Sequence, residues 1–418
     1  MTSPLAGIRI VDLTTAVVGP YASQILADFG ADVIKIEEKG GDVMRWIAGP
    51  SPSPGMSGKF LHLNRNKRSI SLDLKTAAGR EVIGRLIGTA DVFMHNMRPA
   101  AIARLGLGGS DVAAINPTAI YCAIVGFGQK GHLKDRPAYD SILQGGTGLA
   151  SLAGRGGEPA FVPYVVVDRT AGLMVVNAIM TALFDRERNG TVRSIEIPMF
   201  ESFVALLLSE HLYARTFEPA LGGVGDLRLL DPEAKPVRTR DGHVCITTNT
   251  DRQVMALFDA IGRPELKGDS RFNTGPARIR HIAEFFRIRA DAMLARDTAD
   301  WMEDFARREI PAMAVASLDD LLAEGYLEDV GLIERAQHPS EGVIWSIGVP
   351  TRMSGFTPSL DRHAPQIGQD SADLLRELSY SDDAIDALLR GGVAFDASPA
   401  SVSARAPAPV AVPEADVR

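Results

Sequence analysis

Residues 8–37, IRIVDLTTAVVGPYASQILADFGADVIKIE, decide the fold. The stretch opens with a short apolar run, Ile8–Leu13, and closes with a second one, Asp32–Glu37, and both runs predict strands. Between them Tyr21–Phe29 has helical spacing, with Gly19-Pro20 at its start and Gly30 just past its end, which is the usual asymmetry of helix boundaries. The stretch therefore predicts a strand–helix–strand unit.

The same alternation continues further along the chain. Helical spacing returns over Ala77–Gly88 and near Pro99–Leu105, and strand-like apolar runs cover Asp91–His95 and Ala119–Val125. Strands that alternate with helices in this way predict an open, mainly parallel sheet that is covered by helices. We therefore expect an α/β domain.

The later part of the chain changes character several times. Phe161–Val167 (FVPYVVV) predicts a strand, which a turn joins to a long buried helix that begins at Asp168. Residues 218–236 are rich in Gly, Pro and charge and predict a linker or lid. Val244–Thr248 then predicts a strand in a compact α+β region. Residues 397–418 are rich in Ala, Pro, Val and Ser without a period, so we expect a disordered tail.

Composition excludes several classes of function. The 418 residues are 45% hydrophobic with a formal charge of −8, so the chain can bury a large core but has no basic surplus for nucleic acid or an anionic membrane. Cys122, Cys245 and the scattered histidines show no metal-ligand spacing, so we expect no metal. No apolar stretch approaches about 18 residues and no signal-peptide pattern is present. These features predict a soluble, cytoplasmic protein without a membrane partner.

Two polar clusters are candidate sites. Asn64–Ser69 (NRNKRS) places cations and amides beside Leu72–Lys75, either as a clamp for a nucleotide phosphate or as a solvated turn, and an isolated basic run favours the turn. Tyr139-Asp140 precedes an apparent helix with Gln144 on the same side, and a helix cap with a half-buried aromatic is the simplest interpretation.

The turn after the first predicted strand is a weaker candidate. Gly19-Pro20 lies at a helix start, where free backbone N–H groups favour an anion. The residues TTAVVGP contain no GxGxxG, so an ordinary strand-to-helix turn is favoured. The missing fingerprint counts against a nicotinamide dehydrogenase.

Asp168 has two interpretations on pattern alone. At a predicted strand-to-helix junction it is most simply a helix N-cap. Two observations weaken that interpretation: the glycine-dense segment 144–157 upstream could let a ligand lie against the backbone, and a helix N-terminus keeps a carboxylate ionised, as a carboxylate nucleophile must be.

Six segments resemble, in the same order, the landmarks of the family III CoA-transferases, the CaiB/BaiF group. They are PLAGIRIVDLTTAVVGPYASQILADFGADVIKIE from Pro4, LNRNKRSISLDLK from Leu63, DVFMHNMRP from Asp91, PAYDSILQGGTGL from Pro137, VVVDRTAGL from Val165 and RDGHVCITTNT from Arg240. The resemblance extends from about Pro4 to about Phe395. Ordered agreement over most of the chain is more specific than any single segment, and it favours the catalytic role of Asp168.

The resemblance implies a fold and an assembly. The family is similar in having a Rossmann-like large domain built from both chain ends, a smaller inserted α+β domain, and two ring-shaped protomers linked through each other as a homodimer. On that pattern residues 1–217 form the first part of a large CoA-binding domain and 218–236 a linker or lid. Residues 237–325 then form the small domain, and 326–396 return to the large domain.

The resemblance also implies the site. Asp168 occupies the place of the family's nucleophile, which takes CoA from an acyl-CoA and passes it to a free carboxylic acid through a covalent aspartyl-CoA. Coenzyme A and acyl-CoA are therefore the expected substrates. The positions that match the family's CoA-binding segments are Val17, Val18, Leu72, Asp73, Leu74, Lys75, Asn96, Met97, Arg98, Arg104, Arg136, Pro137, Ala138 and Tyr139.

The implied mechanism needs two further roles. Cations must bind the CoA phosphates, and we assign these to Lys75, Arg98 and Arg104. N–H donors must stabilise developing oxyanions, and we assign these to the glycine segment, as oxyanion or lid residues. They are Gly145, Gly146 and Gly148.

Departures from the family narrow the function. Formyl-CoA transferases have a glutamine and an arginine where this chain has Val17 and Glu38, and a four-glycine loop of which Gly222–Gly225 (GGVG) is the only counterpart, so formate and oxalate are poorly supported. Racemases of the family have a catalytic histidine where Tyr139 stands, which counts against an acyl-CoA racemase or isomerase. An intact Asp168 counts against a CoA-binding protein without turnover.

Overall fold

The computed structural model describes residues 3–396, and the predicted disordered tail at 397–418 lies outside them. The strands are β1 (Arg9–Leu13), β2 (Asp32–Glu37), β3 (Lys67–Leu72), β4 (Val92–His95), β5 (Ile120–Val125), β6 (Ser194–Pro198), β7 (Val237–Arg238), β8 (His243–Ile246), β9 (Ala312–Ala314), β10 (Ile333–His338), β11 (Gly342–Ile347) and β12 (Ala394–Phe395).

The helices of the same residues follow in chain order. They are α1 (Val18–Asp28), α2 (Met44–Ile47), α3 (Gly58–Asn64), α4 (Ala77–Gly88), α5 (Pro99–Arg104), α6 (Gly109–Ile115), α7 (Asp140–Gly146), α8 (Leu149–Ala153), α9 (Val166–Asn189), α10 (Met199–His211), α11 (Leu227–Leu230), α12 (Asp251–Ala260), α13 (Gly275–Arg280), α14 (Ile282–Met293), α15 (Thr298–Arg307), α16 (Leu318–Ala323), α17 (Tyr326–Asp329), α18 (Ser371–Glu377) and α19 (Asp382–Arg390). Short 3₁₀ turns cover Tyr213–Thr216 and Pro264–Gly268.

A seven-stranded sheet organises the larger part of the structure, in the order β12-β3-β2-β1-β4-β5-β6. Neighbouring strands are parallel except for β12, which pairs antiparallel with β3. The chain winds outward from β1 to β3 and then returns to place β4 on the other side of β1. Ligands of open α/β sheets bind beyond the carboxyl ends of the strands at such a reversal. The predicted mainly parallel sheet is confirmed, and its topology directs attention to the ends of β1 and β4.

One face of this sheet shares its core with the chain's carboxyl-terminal helices. Val11, Ile34 and Phe93 on the strands are fully buried in the same cluster as Ile83 of α4 and Leu374 of α18. Hydrophobic burial contributes roughly 1.5–3 kcal/mol for each such side chain. Both ends of the described chain are therefore part of one α/β core.

Contacts divide the chain into two compact units. The first comprises 3–146, Pro163–Val204 and 328–396, and it contains the large sheet. The second comprises Thr147–Val162 and Ala205–Leu327. The predicted domain boundaries and the predicted lid stay predictions.

The second unit has its own sheet and core. Its strands run antiparallel in the order β7-β8-β9. Aromatic side chains dominate the core, where Phe258 contacts Phe272 and Phe285 edge to face, and Trp301 stacks on Phe305 with ring centroids 5.3 Å apart. Aromatic pairs of this kind add about 0.5–1.5 kcal/mol beyond their burial.

The predicted strand over Phe161–Val167 is wrong. No strand forms there, and α9 already begins at Val166. Pro163 has no N–H to offer a ladder. The carbonyl of Tyr164 accepts hydrogen bonds from Val166 N (2.8 Å) and Gln144 Nε2 (3.0 Å), so the backbone is committed to the turn into α9.

Helix α9 bears on the expectation that no apolar stretch is long enough to cross a membrane. It spans 24 residues with a mean hydropathy of 1.4 over an 18-residue window, which suffices in length and composition to cross a membrane. The core helix of a soluble protein passes the same test. Here Val167, Ala171, Val175 and Ile179 are buried, and the helix contacts α1, β5 and β6. One face of the helix therefore serves the core of the first unit, whereas Leu173, Met180 and Phe184 are exposed.

Candidate active site

Asp168 lies in the first turn of α9, but it is not the helix cap. The N-cap position is Val165, whose side chain makes no capping bond. Asp140, the first residue of α7, caps the helix instead, because its Oδ1 accepts from Val167 N (2.8 Å) and Asp168 N (3.2 Å). Gln144 Nε2 donates to Asp140 Oδ2 at 2.6 Å and fixes that carboxylate. The Asp168 side chain is thereby left free for another role.

The Asp168 carboxylate is half-buried and has neither a hydrogen bond nor an ion pair within residues 3–396. Burial, and after it the charge of Asp140, raises the pKa of Asp168 to about 7, although Arg169 and Lys59 act in the opposite direction. The expectation that the helix N-terminus keeps this carboxylate ionised is therefore corrected. Desolvation and a second carboxylate outweigh the favourable field of the helix end.

Cationic and aromatic side chains that the sequence analysis missed lie around Asp168. Lys59 on α3 and Arg169 on α9 act on its charge. The Arg169 guanidinium lies over the Tyr21 ring at 4.3 Å, and its Nε is buried with no hydrogen-bond partner in the described chain. Burial, followed by the charges of Arg65 and Arg169, lowers the pKa of His62 on α3. The only sequence signal was that Arg169 directly follows Asp168.

The turn after β1 meets the turn after β4, as the sheet topology requires. Asn96 Oδ1 accepts from Thr15 N at 3.0 Å, and Asn96 Nδ2 donates to Thr15 O at 2.8 Å. Ala16 adopts a φ of +66° and donates its N–H to Asp42 Oδ1 at 3.1 Å. Val17 and Val18 are buried, whereas Thr15 is exposed, so the accessible part of this turn is Thr15 and the adjoining backbone.

The predicted phosphate-binding cations are available. Lys75, Arg98, Arg104 and Arg136 are exposed, and none of them forms an ion pair within the part of the chain that the structure describes. Lys75 follows β3 and Arg98 follows β4, at the sheet edge that also carries Asn96. Their binding to CoA stays a prediction.

The other predicted CoA-binding positions differ in exposure. Leu72 and Leu74 are buried, and Asp73 Oδ1 accepts from Lys75 N at 2.9 Å, which orders the turn after β3. Tyr139 is 71% exposed, so the expectation of a half-buried aromatic is wrong. The remaining members are half-buried or exposed, and they are Asp73, Met97, Pro137 and Ala138.

Asn64–Ser69 forms a turn at Arg65 and Asn66, as one interpretation expected, but the cations beside it are paired. Lys67 is fully buried in β3, where its Nζ donates to Pro20 O and Asn64 Oδ1, both at 2.9 Å, and pairs with Asp12 at 3.4 Å. Arg65 and Arg68 pair with Asp28 and Asp32, each at 2.7 Å. These cations pair with carboxylates of the first strand–helix–strand unit, so the turn is not simply solvated and its cations are not free for a phosphate.

Comparison with known proteins identifies the family. The model of CoA-transferase family III matches residues 5–371. The chain belongs to the family III CoA-transferases. The resemblance inferred from the six sequence segments is thus confirmed, and so is the assignment as an enzyme that uses CoA thioesters.

Curated relatives of this family III CoA-transferase span nearly its whole length. The succinyl-CoA:glutarate CoA-transferase of Mus musculus is 33% identical over 396 residues, covering 93% of this chain and 90% of the relative. The formyl-CoA:oxalate CoA-transferase of Shigella sonnei is 31% identical over 413 residues, with 93% and 99% coverage. The crystal structure of a CAIB/BAIF family protein from Brucella suis superposes with a TM-score of 0.77 at 29% identity, covering 90% of this chain and 100% of that one.

The glycines assigned to the oxyanion are placed less favourably in this CoA-transferase. Gly145 and Gly146 form the last turn of α7, where helix amides donate to carbonyls four residues earlier. Gly148 lies at the start of α8 with a φ of +91°, a conformation that favours glycine. The oxyanion assignment stays a prediction, and helix geometry weighs against its first two members.

Proposed function

We propose that this family III CoA-transferase moves coenzyme A from an acyl-CoA thioester to a free carboxylic acid through a covalent aspartyl-CoA formed on Asp168. The observation that supports it best is the state of the Asp168 carboxylate. It is half-buried, it lies at a helix start, and it has no partner among the described residues. A carboxylate without a bonding partner is available as a nucleophile.

The proposed reaction exchanges one thioester for another and needs no ATP. The Asp168 carboxylate attacks the donor thioester carbonyl, the C–S bond breaks, and a mixed anhydride and a CoA thiolate result. The thiolate then attacks the aspartyl carbonyl, the donor leaves as its free carboxylate, and aspartyl-CoA remains. The acceptor carboxylate attacks aspartyl-CoA and repeats these steps in reverse order, which regenerates the Asp168 carboxylate.

The surrounding cations have separate roles in this proposal. Lys75, Arg98 and Arg104 neutralise the phosphates of CoA, because they are exposed and unpaired within the described chain. Lys59 and Arg169 favour the ionised form of Asp168. We also propose that the enzyme is cytoplasmic and forms the interlocked homodimer of its family.

The relatives indicate which acids to test first. The mouse relative is named for succinyl-CoA and glutarate, and the Shigella relative for formyl-CoA and oxalate. Val17 and Glu38 replace the glutamine and arginine of formyl-CoA transferases, so we propose succinyl-CoA as the first donor and glutarate as the first acceptor.

The test follows glutaryl-CoA formation from these substrates by chromatography. Asp168→Asn should lose at least about a thousandfold in kcat because the covalent route is gone. Asp185→Asn, near the other end of the same helix, should keep wild-type activity. Full activity in a folded Asp168→Asn enzyme would overturn the proposal.

The isomerase alternative gives a different result in deuterated water. Two-base inversion needs a second acid–base group, and an ordinary tyrosine has a pKa of about 10. We expect no α-deuterium uptake into a 2-methylacyl-CoA above background. Rapid uptake that Tyr139→Phe abolishes would favour the isomerase instead.

A further inference from the structure

The second unit contains a cavity of about 620 Å³, which is in the range of small-molecule sites. Its walls come from the end of β8 and the turn that follows, from the segment around α11, and from α13 and α14. Every residue of the wall belongs to that unit.

The cavity wall carries cations and no carboxylate. The cations are Arg228, Lys235, Arg278 and Arg289. Three have acidic partners outside the wall: Arg228 pairs with Asp226 at 3.7 Å, Lys235 with Glu233 at 3.3 Å, and Arg278 with Asp251. Arg289 has no ion pair within residues 3–396. One positive charge in the wall is therefore uncompensated.

Arg289 is buried to an extent that is costly for an unpaired guanidinium. The residue is 6% exposed, and its single hydrogen bond runs from Nη1 to Ile246 O at 3.2 Å. Its Nε is buried with no acceptor in the described chain. Burial lowers the pKa of Arg289 to about 10, against the more distant charge of Glu233. Buried charges are normally paired, so this side chain lacks an anion.

The rest of the wall indicates what kind of anion fits. Phe285, Phe286 and Ile282 are apolar, and the Phe286 ring lies 4.6 Å from the Arg289 guanidinium. Nη2 of Arg289 has no hydrogen-bond partner in the described chain and, unlike Nε, is not fully enclosed, so it can donate a charge-assisted hydrogen bond to a carboxylate. Apolar walls beside a single unpaired cation match a singly charged ligand with an apolar body.

We propose that this cavity binds an organic monocarboxylate, whose carboxylate accepts a hydrogen bond from Nη2 of Arg289 while its apolar part contacts Phe285 and Phe286. The site is built from the second unit alone and uses neither Asp168 nor the CoA-binding residues. Its singly charged ligand differs from the dicarboxylates of the proposed reaction, and occupancy requires no turnover.

The two cysteines provide a direct readout. Cys245 is exposed and lines the cavity, whereas Cys122 is fully buried, so a neutral maleimide should label Cys245 alone. We expect 3-phenylpropanoate to slow this labelling several-fold, with 3-phenylpropanamide, its neutral amide, giving no protection. The rate is followed by mass spectrometry of the full-length protein without any acyl-CoA.

Substitutions on α14 distinguish loss of the Arg289 charge from loss of folding. Arg289→Gln should weaken protection by 3-phenylpropanoate by about tenfold or more, since the cation and its charge-assisted hydrogen bond are lost. Arg289→Lys, which keeps the charge but not the fork, should fall between Arg289→Gln and wild type. Arg287→Gln is the matched control, because Arg287 is exposed on α14 outside this cavity and its loss should leave protection unchanged.

Several results would overturn the site. They are equal protection by the amide, no protection in the wild type, unchanged protection in both Arg289 variants, or a Cys245 thiol that does not react in the free protein. If Arg289→Gln does not fold, as circular dichroism would show, the Arg289→Lys result decides. Because the assay reads binding without transfer, its failure leaves the Asp168 proposal intact, and failure of that proposal leaves this site intact.

Discussion

Three buried carboxylates in the first unit have cationic partners, whereas the half-buried carboxylate of Asp168 has none among the described residues. Beneath α1 the carboxylates of Asp12, Glu37 and Asp42 are almost completely inaccessible, yet each faces a cation. At the start of α9 Asp168 is more exposed and has no cation within bonding distance among the described residues. For Glu37 and Asp168 the partner, rather than the depth of burial, decides the direction in which the pKa moves.

Glu37 shows the paired case most clearly. Its oxygens accept from Nε and Nη2 of Arg45, each at 2.7 Å. Burial alone would raise the pKa of Glu37, but Arg45 reverses the effect and the pKa falls to about 2. For Asp168 burial acts in the same direction, Asp140 adds to it, and the pKa rises to about 7.

The paired group also holds the turn that precedes α1. Lys35 Nζ donates to Thr14 O at 3.0 Å and pairs with Asp42 at 2.8 Å, while Asp42 accepts the N–H of Ala16. These residues keep the backbone between β1 and α1 in one conformation. Paired carboxylates thus fix the architecture of the ligand-binding edge, and the unpaired one is left for chemistry.

Removing the cation of the buried Arg45–Glu37 ion pair should have the largest effect on stability. Arg45→Met leaves the Glu37 carboxylate buried without its cation, and we expect the free energy of unfolding at pH 7 to fall by about 3–5 kcal/mol. Urea denaturation measures this loss. Arg390→Met removes an exposed pair with Asp386 and should change stability by less than about 0.5 kcal/mol. A loss below about 1 kcal/mol for Arg45→Met would show that the buried pair is not what holds this region.

Removing the unpaired charge should have a smaller effect of opposite sign. The folded pKa of Asp168 lies above its ordinary value of 3.8, so ionisation destabilises the fold increasingly as the pH rises from about 4 to about 7. Asp168→Asn should therefore stabilise the protein at pH 8 by about 1–2 kcal/mol, after allowance for its partial exposure, and by less at pH 5. Thermal unfolding at both pH values measures the difference. A variant that is less stable than wild type at pH 8 would contradict the raised pKa.

The smallest expected effect concerns the pH dependence of transfer. The nucleophile must be ionised, so kcat/KM should fall as the pH drops below about 7. Asp140→Asn keeps an oxygen to cap α9 but removes the neighbouring charge. The fall of kcat/KM on the acid side of the pH profile, its acid limb, should therefore move to lower pH by about half a pH unit. Asp185→Asn should leave the limb in place. A limb that does not move with Asp140→Asn would remove Asp140 from the causes of the raised pKa.

The sequence predicts the large sheet well because its signals are local. Asp32–Glu37 and Ala77–Gly88 have the predicted bounds in the structure, since apolar period and boundary glycines act within a few residues. The prediction for Phe161–Val167 fails because it gave too little weight to Pro163 within the run, and because the bond from Gln144 to the Tyr164 carbonyl is not visible in the sequence.

The state of charged residues is not a local property. Lys67 looks like part of a basic surface run, yet its carboxylate partner Asp12 is 55 positions away in sequence. The importance of Asp168 was predicted from family resemblance, but its raised pKa depends on Asp140, 28 positions away. Arg289 gave no signal at all, since a missing partner is visible only in three dimensions.

Intact-protein mass spectrometry tests the central claim about Asp168 most directly. The wild-type enzyme is incubated with succinyl-CoA without an acceptor, quenched in acid, and compared with Asp168→Asn. We predict a wild-type species heavier by one CoA less one water, mapped by peptide analysis to Asp168, discharged by added glutarate and absent from Asp168→Asn. An enzyme that produces glutaryl-CoA while carrying no such adduct, or an adduct that persists in Asp168→Asn, would contradict the account.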